Sequence, residues 1–485
     1  MELVQHGSYL IPRDRSLQSS AHPFWEWMLG PGRVWVENAD KGLHRAALPL
    51  TITAKNANCV HNGIIMFLFD EHSLSKLWYQ ITSETCSYLK VNLFGLITAQ
   101  YTPYDIAFRC ALIHSFADEL NGRIPVKSME YLSSDFVDVS VDPPSPILDI
   151  TKLVPPSAIS PDHVTVYGAY INGVHYRSDA NTRSGSYPFP DQMVLPSYSL
   201  AKSMFAGLAG MYMEQKYPGT MQSDLGVILN SNKWSGITVN DALDMTTGLY
   251  KYTGYLRDEN LPETALNFFL ARTHSQKLNH AVNSLPKRTL PRTEFAYHTS
   301  DTYVAIFALN QILKQQTKDD GADIYEYIYR DVYSKIGGSQ IMKETIRTYD
   351  AERQPLGGYG LYFNTDDVVK TARFMNSGDG HHGMIDGEPV LSRGELFSAL
   401  QQTNDIGIRV SAISDAPFYN YIYQNGFWSV NLEYYNGCNM NVPFWSGFGG
   451  IKVVLFPNGN IYYYFTDDGT TLIVDAATEM LKVCW

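Results

Sequence analysis

A serine placed three residues before a lysine puts both side chains on one face of a helix, where the amine can sit beside the hydroxyl and accept its proton. Ser199 and Lys202 have this spacing in Leu195-Pro196-Ser197-Tyr198-Ser199-Leu200-Ala201-Lys202-Ser203. Spacing alone carries little, since Ser73/Lys76 and Ser87/Lys90 share it in polar or strand-like stretches. What singles out Ser199 is the run that follows, Leu200 to Tyr212, which is apolar around nearly the whole circumference of a helix and therefore predicts a buried one. Pro196 marks its approach and Pro218-Gly219 its exit, so Ser199 stands at the helix N-terminus, where unpaired N–H groups and the dipole favour developing negative charge. The chemistry this would serve is acyl transfer through a serine. The plain alternative is a serine that caps a core helix while its lysine reaches solvent.

Further residues follow in an order that resembles a known superfamily. Ser199-Leu200-Ala201-Lys202-Ser203 is similar to the nucleophile motif of class C β-lactamases, penicillin-binding carboxypeptidases, β-lactamase-like carboxylesterases and 6-aminohexanoate-dimer hydrolases. The segment Ile237 to Leu249 resembles the stretch that follows the nucleophile helix there. Physically, Thr238 with Asp241 reads as a capping box and Gly248 as a helix stop. Gly357-Gly358 and the helix opened by Asn364-Thr365-Asp366-Asp367 match another landmark. The resemblance runs from about Val164 to Trp485 and leaves the N-terminal part of the chain uncovered.

The resemblance implies a tyrosine projecting toward the serine, and Tyr297-His298-Thr299 occupies that place, ahead of Ser300-Asp301, which can cap an apolar helix over Thr302 to Leu313. Tyr-x-Asn, the family pattern, also occurs at Tyr362/Asn364 and Tyr423/Asn425, so order along the chain selects Tyr297. Thr299 keeps a hydroxyl where the family has an amide. A tyrosinate at Tyr297 could take the serine proton, although lowering its pKa from about 10 to about 7 needs ~4 kcal/mol of preferential stabilisation of the anion. A neutral Lys202 with Tyr297 as proton relay is the other assignment. The third element, Lys-Thr-Gly in β-lactamases, corresponds to Trp445-Ser446-Gly447-Phe448-Gly449-Gly450. Carboxylesterases of the superfamily often carry Trp-x-Gly there. The implied substrate-binding and oxyanion residues are Thr299, Trp445, Ser446, Gly447 and Phe448, with the N–H groups of Ser199 and Phe448 as the oxyanion hole. Losing the motif's lysine removes a cation suited to a carboxylate, unless Lys452 or Arg409 supplies one, puts the bulky apolar face of Trp445 in its stead, and favours esters or neutral amides. The readings kept open are an ester or amide hydrolase, a β-lactamase or D-amino-acid peptidase, and an inactive binding protein on the same fold.

These residues need a scaffold, and the 485-residue chain is long enough for two modules. β-Branched and aromatic runs such as Leu48–Thr53, Ile64–Phe69 and Leu77–Thr82 make the chain from about Gly32 to Tyr104 β-rich, and a helix near Ala107 to Leu120 and a proline-rich connector over Val141–Pro161 follow, so the β-rich N-terminal module is set at 1–145. The remainder, 146–485, reads as strands first, helices between and strands last. His163–Tyr176 forms a hairpin around Asn172-Gly173. Strands return at Gly426–Tyr434, Gly450–Phe456 and Asn460–Thr466, and Thr470–Lys482 closes as a helix. The expected fold class is α+β: an antiparallel sheet with flanking helices and a helical subdomain inserted at roughly 210–380, β-lactamase/transpeptidase-like, behind a β-rich module.

A net charge of −12 offers no basic footprint for nucleic acid or an anionic membrane. No stretch nears the roughly 18 apolar residues of a membrane span, and Met1–Ser20 lacks the apolar core of a secretory leader. The expectation is a soluble chain, cytoplasmic as it stands, or periplasmic or secreted if a leader has been removed. The cysteines, Cys59, Cys86, Cys110, Cys438 and Cys484, are few, odd in number and scattered, which reads as structural thiols. Gly-x-Ser-x-Gly, phosphate-loop and His-Glu-x-x-His motifs are absent, and His381-His382 reads as a solvated turn. No cofactor or metal is expected, the partner is a small-molecule ester or amide, and the oligomeric state is left open.

Overall fold

The computed structural model describes all residues except 105, 403–406, 411–420, 435–437 and 484–485. Two antiparallel sheets organise the chain, joined by helices. The first has eight strands, all drawn from Leu3–Ile97. Its longest ladder pairs His44–Ala54 with Val60–Phe69, and its apolar face gathers Leu10, Leu29, Leu48, Ile65, Phe67 and Leu77. It begins earlier than the sequence pattern predicts: Leu3–His6 and Tyr9–Pro12 form a hairpin through Gly7, whose φ of +58° is one that glycine adopts without steric cost.

The second sheet has nine strands. It runs from Ile408–Arg409 through Tyr421–Gln424, Phe427–Tyr434, Cys438–Gly447, Ile451–Leu455 and Ile461–Thr466, then crosses to Val164–Ile171, Val174–Arg177 and, in parallel, Val126–Ser128. Strands from both ends of the region 146–485 therefore share one sheet, as the order of the patterns predicts. Asn172 and Gly173 both have positive φ in the expected two-residue turn. At Asn458-Gly459 the turn is longer, closed by Phe456 N–H to Asn460 O, with positive φ at Gly459.

One face of this sheet carries Val453, Leu455, Tyr463 and Phe465 against the helix Thr365–Met375 and the helix that follows Ser199. The other carries Val454, Tyr462 and Tyr464 against Ile473–Met480, the shorter realisation of the predicted closing helix. Capping boxes start the helices at Thr238/Asp241 and Asn364/Asp367, the first as predicted. The helix after Tyr297 spans Thr299–Thr317 and not Thr302–Leu313, and Ser300-Asp301 does not cap it. Asp301 turns inward to His298, and Glu259 accepts the Thr299 N–H instead. No described helix is long and apolar enough to cross a membrane.

The cysteines depart from the thiol expectation. Cys59 and Cys86 form a disulfide across 27 residues, joining the loops at the ends of two strand pairs of the first sheet. Neighbouring strands brought those sulfurs within reach, a relation of register that sequence spacing does not display. Cys110 is free and exposed.

Candidate active site

The turn before the helix is built from a short strand, Leu195–Pro196, paired with Tyr362–Phe363. Tyr198 then takes a φ of +40°, uncommon for a residue with a side chain, and Ser199 follows at the head of the helix. Such a turn needs outside support, and much of it comes from the N-terminal sheet. Asn58, buried, accepts through Oδ1 from Ser197 Oγ (2.8 Å), Tyr198 N (2.6 Å) and Gly360 N (3.0 Å), and donates from Nδ2 to Leu361 O (3.2 Å). Leu361 N in turn donates to Ser197 Oγ at 3.0 Å. One amide thus ties the strained residue to both strands beneath it.

Replacing Asn58 by leucine orphans these buried groups, each at a cost of about 1–3 kcal/mol. The expected outcome is a lower melting temperature and a kcat reduced by roughly 10- to 100-fold with KM less affected, because small displacements of a reacting atom weigh on the rate. Asn58→Asp, which keeps the acceptor, should recover part of the loss. Thermal melts and steady-state kinetics on the same samples check this.

The helix begins at Leu200, widens into a π-helical stretch over Lys202–Gly207 and continues as α-helix over Leu208–Lys216. The Asn425-Gly426 turn packs directly on this stretch: a Cβ on Gly207 would lie 2.2 Å from Asn425 O, and Ser203 Oγ donates to Gly426 O. Lys202, 2% exposed, points back to the helix start. Its Nζ lies 2.9 Å from Ser199 Oγ, 2.8 Å from Thr299 Oγ1 and 3.2 Å from Gly358 O. Two of these contacts have a fixed sense. Gly358 O can only accept, and Thr299 gives its own proton to the Glu259 carboxylate, so it too accepts from Lys202. Only the Ser199 contact is reversible. An amine that spends two N–H groups on Gly358 and Thr299 turns its lone pair toward the Ser199 hydroxyl. Burial moves Lys202 the same way, lowering its pKa to about 8 against the raising influence of Glu259.

Tyr297 lines the same site. Its ring stacks on Trp428 (centroids 6.0 Å apart), meets Tyr255 edge-on at 5.2 Å and lies 4.9 Å from Lys202 Nζ. Burial first, then Tyr255, Tyr423 and Glu259, hold its phenol well above the ordinary range, and the nearby Ser199 hydroxyl pulls it down only in part. Between Tyr297 and Thr299, His298 donates to Asp258 (3.0 Å) and lies 3.2 Å from Asp301, with all three side chains buried. Burial opposes a charged ring there, but the two carboxylates prevail and lift its pKa to about 10. An imidazolium clamped by two aspartates fixes the turn that presents Tyr297 and Thr299.

A cleft of about 520 Å³ opens above Ser199, and Tyr297, Thr299, Ser446, Gly447 and Phe448 line it together with the serine. Trp445 is not among them. Its ring is fully buried on the opposite face of the sheet against Phe427, because successive residues of a strand face opposite ways and Ser446 takes the cleft side. The apolar wall expected from Trp445 comes instead from Phe448, 53% exposed, whose ring lies 5.7 Å from Tyr198 and 6.2 Å from Tyr88. The Ser199 and Phe448 N–H groups have no acceptor among the described residues. Neither Lys452, buried opposite Ser446 in the sheet, nor Arg409 lines the cleft. Among the described residues no group of His, Cys, Asp or Glu is arranged to hold a metal, and His382 accepts the Ser377 N–H.

The sequence reading missed Asn58, Glu259 and His298 as contributors. Asn58 and Glu259 also line the cleft, as do Tyr88, Tyr255, Phe269 and Tyr359. The adjacent Asp258-Glu259 carboxylates, both directed at the Tyr297–Thr299 turn, were the one local signal for part of this set.

No family model matches the chain, and no curated protein matches it. Among solved structures, a Bacillus anthracis protein assigned as a 6-aminohexanoate-dimer hydrolase is similar at a TM-score of 0.49 and 14% identity, over 74% of this chain and 84% of that one. A penicillin-binding-protein homologue from Caulobacter crescentus is similar at 0.47 and 12%, over 69% and 94%. A family VIII carboxylesterase is similar at 0.45 and 13%, over 69% and 96%.

Proposed function

We propose that the chain is a serine hydrolase of the β-lactamase-like type that cleaves an ester or a neutral amide through an acyl-enzyme on Ser199. The observation that carries this reading is the Lys202 amine, 2.9 Å from Ser199 Oγ, with its other two contacts committed to acceptors. In the first step Ser199 Oγ loses its proton to Lys202 Nζ and bonds to the substrate's carbonyl carbon. The resulting oxyanion is met by the N–H groups of Ser199 and Phe448. On collapse the carbonyl–leaving-group bond breaks, Tyr297 gives its hydroxyl proton to the departing oxygen or nitrogen, and Lys202 restores it. Water, losing a proton to the same pair, then releases the acyl group as an acid.

The cleft's lining supports esters and neutral amides over substrates with a carboxylate beside the scissile bond, since it includes no Lys, Arg or His. The Cys59–Cys86 disulfide favours an oxidising compartment, hence a periplasmic or secreted protein. A fluorophosphonate probe with peptide mass spectrometry tests the reaction class. The label is expected on Ser199 and absent from Ser199→Ala, and a probe that leaves Ser199 unmodified overturns the proposal. Turnover of short acyl esters is expected to exceed that of a chromogenic cephalosporin.

A further inference from the structure

One charge in the cleft is unaccounted for by the reaction just described. The Glu259 carboxylate lines it, accepts from Thr299 N at 3.0 Å and from Thr299 Oγ1, and has no ion-pair partner among the described residues. Both of its contacts are neutral donors on a single residue, which leaves each oxygen with capacity to accept again. Around it the walls are aromatic, from Tyr198, Tyr255, Phe269, Tyr297, Tyr359 and Phe448. A carboxylate among aromatic faces, with no cation in direct contact among the described residues, is the arrangement that binds an ammonium or quaternary nitrogen. Three hydrogen bonds end to end separate Glu259 from Ser199 Oγ, through Thr299 and Lys202, so the carboxylate lies at most about 8 Å from the reacting oxygen. That span covers only a few covalent bonds of a bound substrate.

Resting on the serine-hydrolase reading, we propose that this cleft selects esters or amides whose acyl or leaving portion carries a cationic nitrogen within a few bonds of the scissile carbonyl, held by Glu259 and the surrounding aromatic faces. Occupation by such a cation has a second consequence. Glu259 is the group that favours the charged form of Lys202, so a substrate cation that neutralises Glu259 releases Lys202 toward the amine that accepts the serine proton.

Two isosteric pairs test this with the full chain: the 4-nitroanilides of β-alanine and butanoic acid, and butyrylcholine against 3,3-dimethylbutyl butanoate. In at least one pair the cationic member is expected to have a kcat/KM roughly ten-fold or more above its neutral isostere. In Glu259→Gln that ratio should fall to near one. Ser199-dependent turnover without cation preference in either pair overturns the inference and leaves the hydrolase reading standing. A preference that persists in Glu259→Gln, or equal losses for both members of a pair, also overturns it, the latter reducing Glu259 to a support for Thr299. If none of the four compounds is turned over in a Ser199-dependent way, both the reading and the inference fall.

Discussion

Lys202→Met is expected to lower kcat/KM by roughly three to four orders of magnitude, the upper range for loss of a positioned general base. Methionine fills nearly the same volume in a site only 2% exposed, so packing along the helix is retained while the proton acceptor is lost. The pH profile separates the two assignments left open by the sequence. With neutral Lys202 as the proposed base and its pKa lowered to about 8, wild-type kcat/KM should climb with pH through that value and level off above it. A tyrosinate base would instead require pH above the raised range of Tyr297. The Lys202 contribution to stability should also rise with pH, over a higher range than activity. The folded-state pKa of Lys202 lies below its ordinary 10.5, so the folded protein carries a penalty that is full below pH 8 and relieved as pH rises from 8 toward 10.5. By linkage that penalty is at most about 3 kcal/mol. Lys202→Met removes it, and the variant is expected to melt no lower than wild type at pH 7. Full retention of kcat/KM in a folded Lys202→Met protein would remove Lys202 from the mechanism.

What could be read in the sequence, and what could not, divides along the range of the forces involved. The hairpin at Asn172-Gly173, the capping box at Thr238/Asp241 and the buried helix after Ser199 are local, and their residues display the preferences that shape them. The Ser199/Lys202 pair was distinguishable from Ser73/Lys76 and Ser87/Lys90 only through that helix. The same spacing at Ser284/Lys287 shows why, since Lys287 there donates to the Ser235 carbonyl oxygen. By contrast, Asn58 meets Ser197 and Tyr198 across about 140 positions, and Cys59 meets Cys86 through the pairing of strands. No propensity or period encodes such contacts, because the folding of a whole sheet brings them together. The inward turn of Asp301 is a third case: as an N-cap it would have satisfied one backbone N–H, but beside His298 it neutralises a buried charge, the larger requirement. Trp445 is different. Once Ser446 is assigned to the cleft, strand alternation already sends Trp445 to the other face, so that signal was present in the sequence.

The buried Asp258–His298–Asp301 cluster should be the most costly point in the molecule to break. Removing the cation leaves two buried aspartates with neutral donors but without their shared counter-charge, and breaking a buried ionic group by deleting one partner costs about 3–5 kcal/mol. His298→Leu is therefore expected to lose stability of that order in urea unfolding at pH 7. His298→Gln, which can still donate to Asp258, should lose less. The pH dependence identifies the cause. The folded-state pKa of His298 is near 10, above its ordinary 6.5, so its contribution is fully present below about pH 6.5 and is lost as pH rises through 10. The gap between wild type and His298→Leu should accordingly narrow between pH 7 and pH 10, whereas a gap caused by lost packing alone would stay constant. Because His298 lies between Tyr297 and Thr299, the remaining folded fraction of the variant should also show a lower kcat, measured at a temperature well below its transition. Unchanged stability at pH 7 would mean that the two aspartates do not depend on the imidazolium, and the clamp would then have no part in presenting Tyr297 to Ser199.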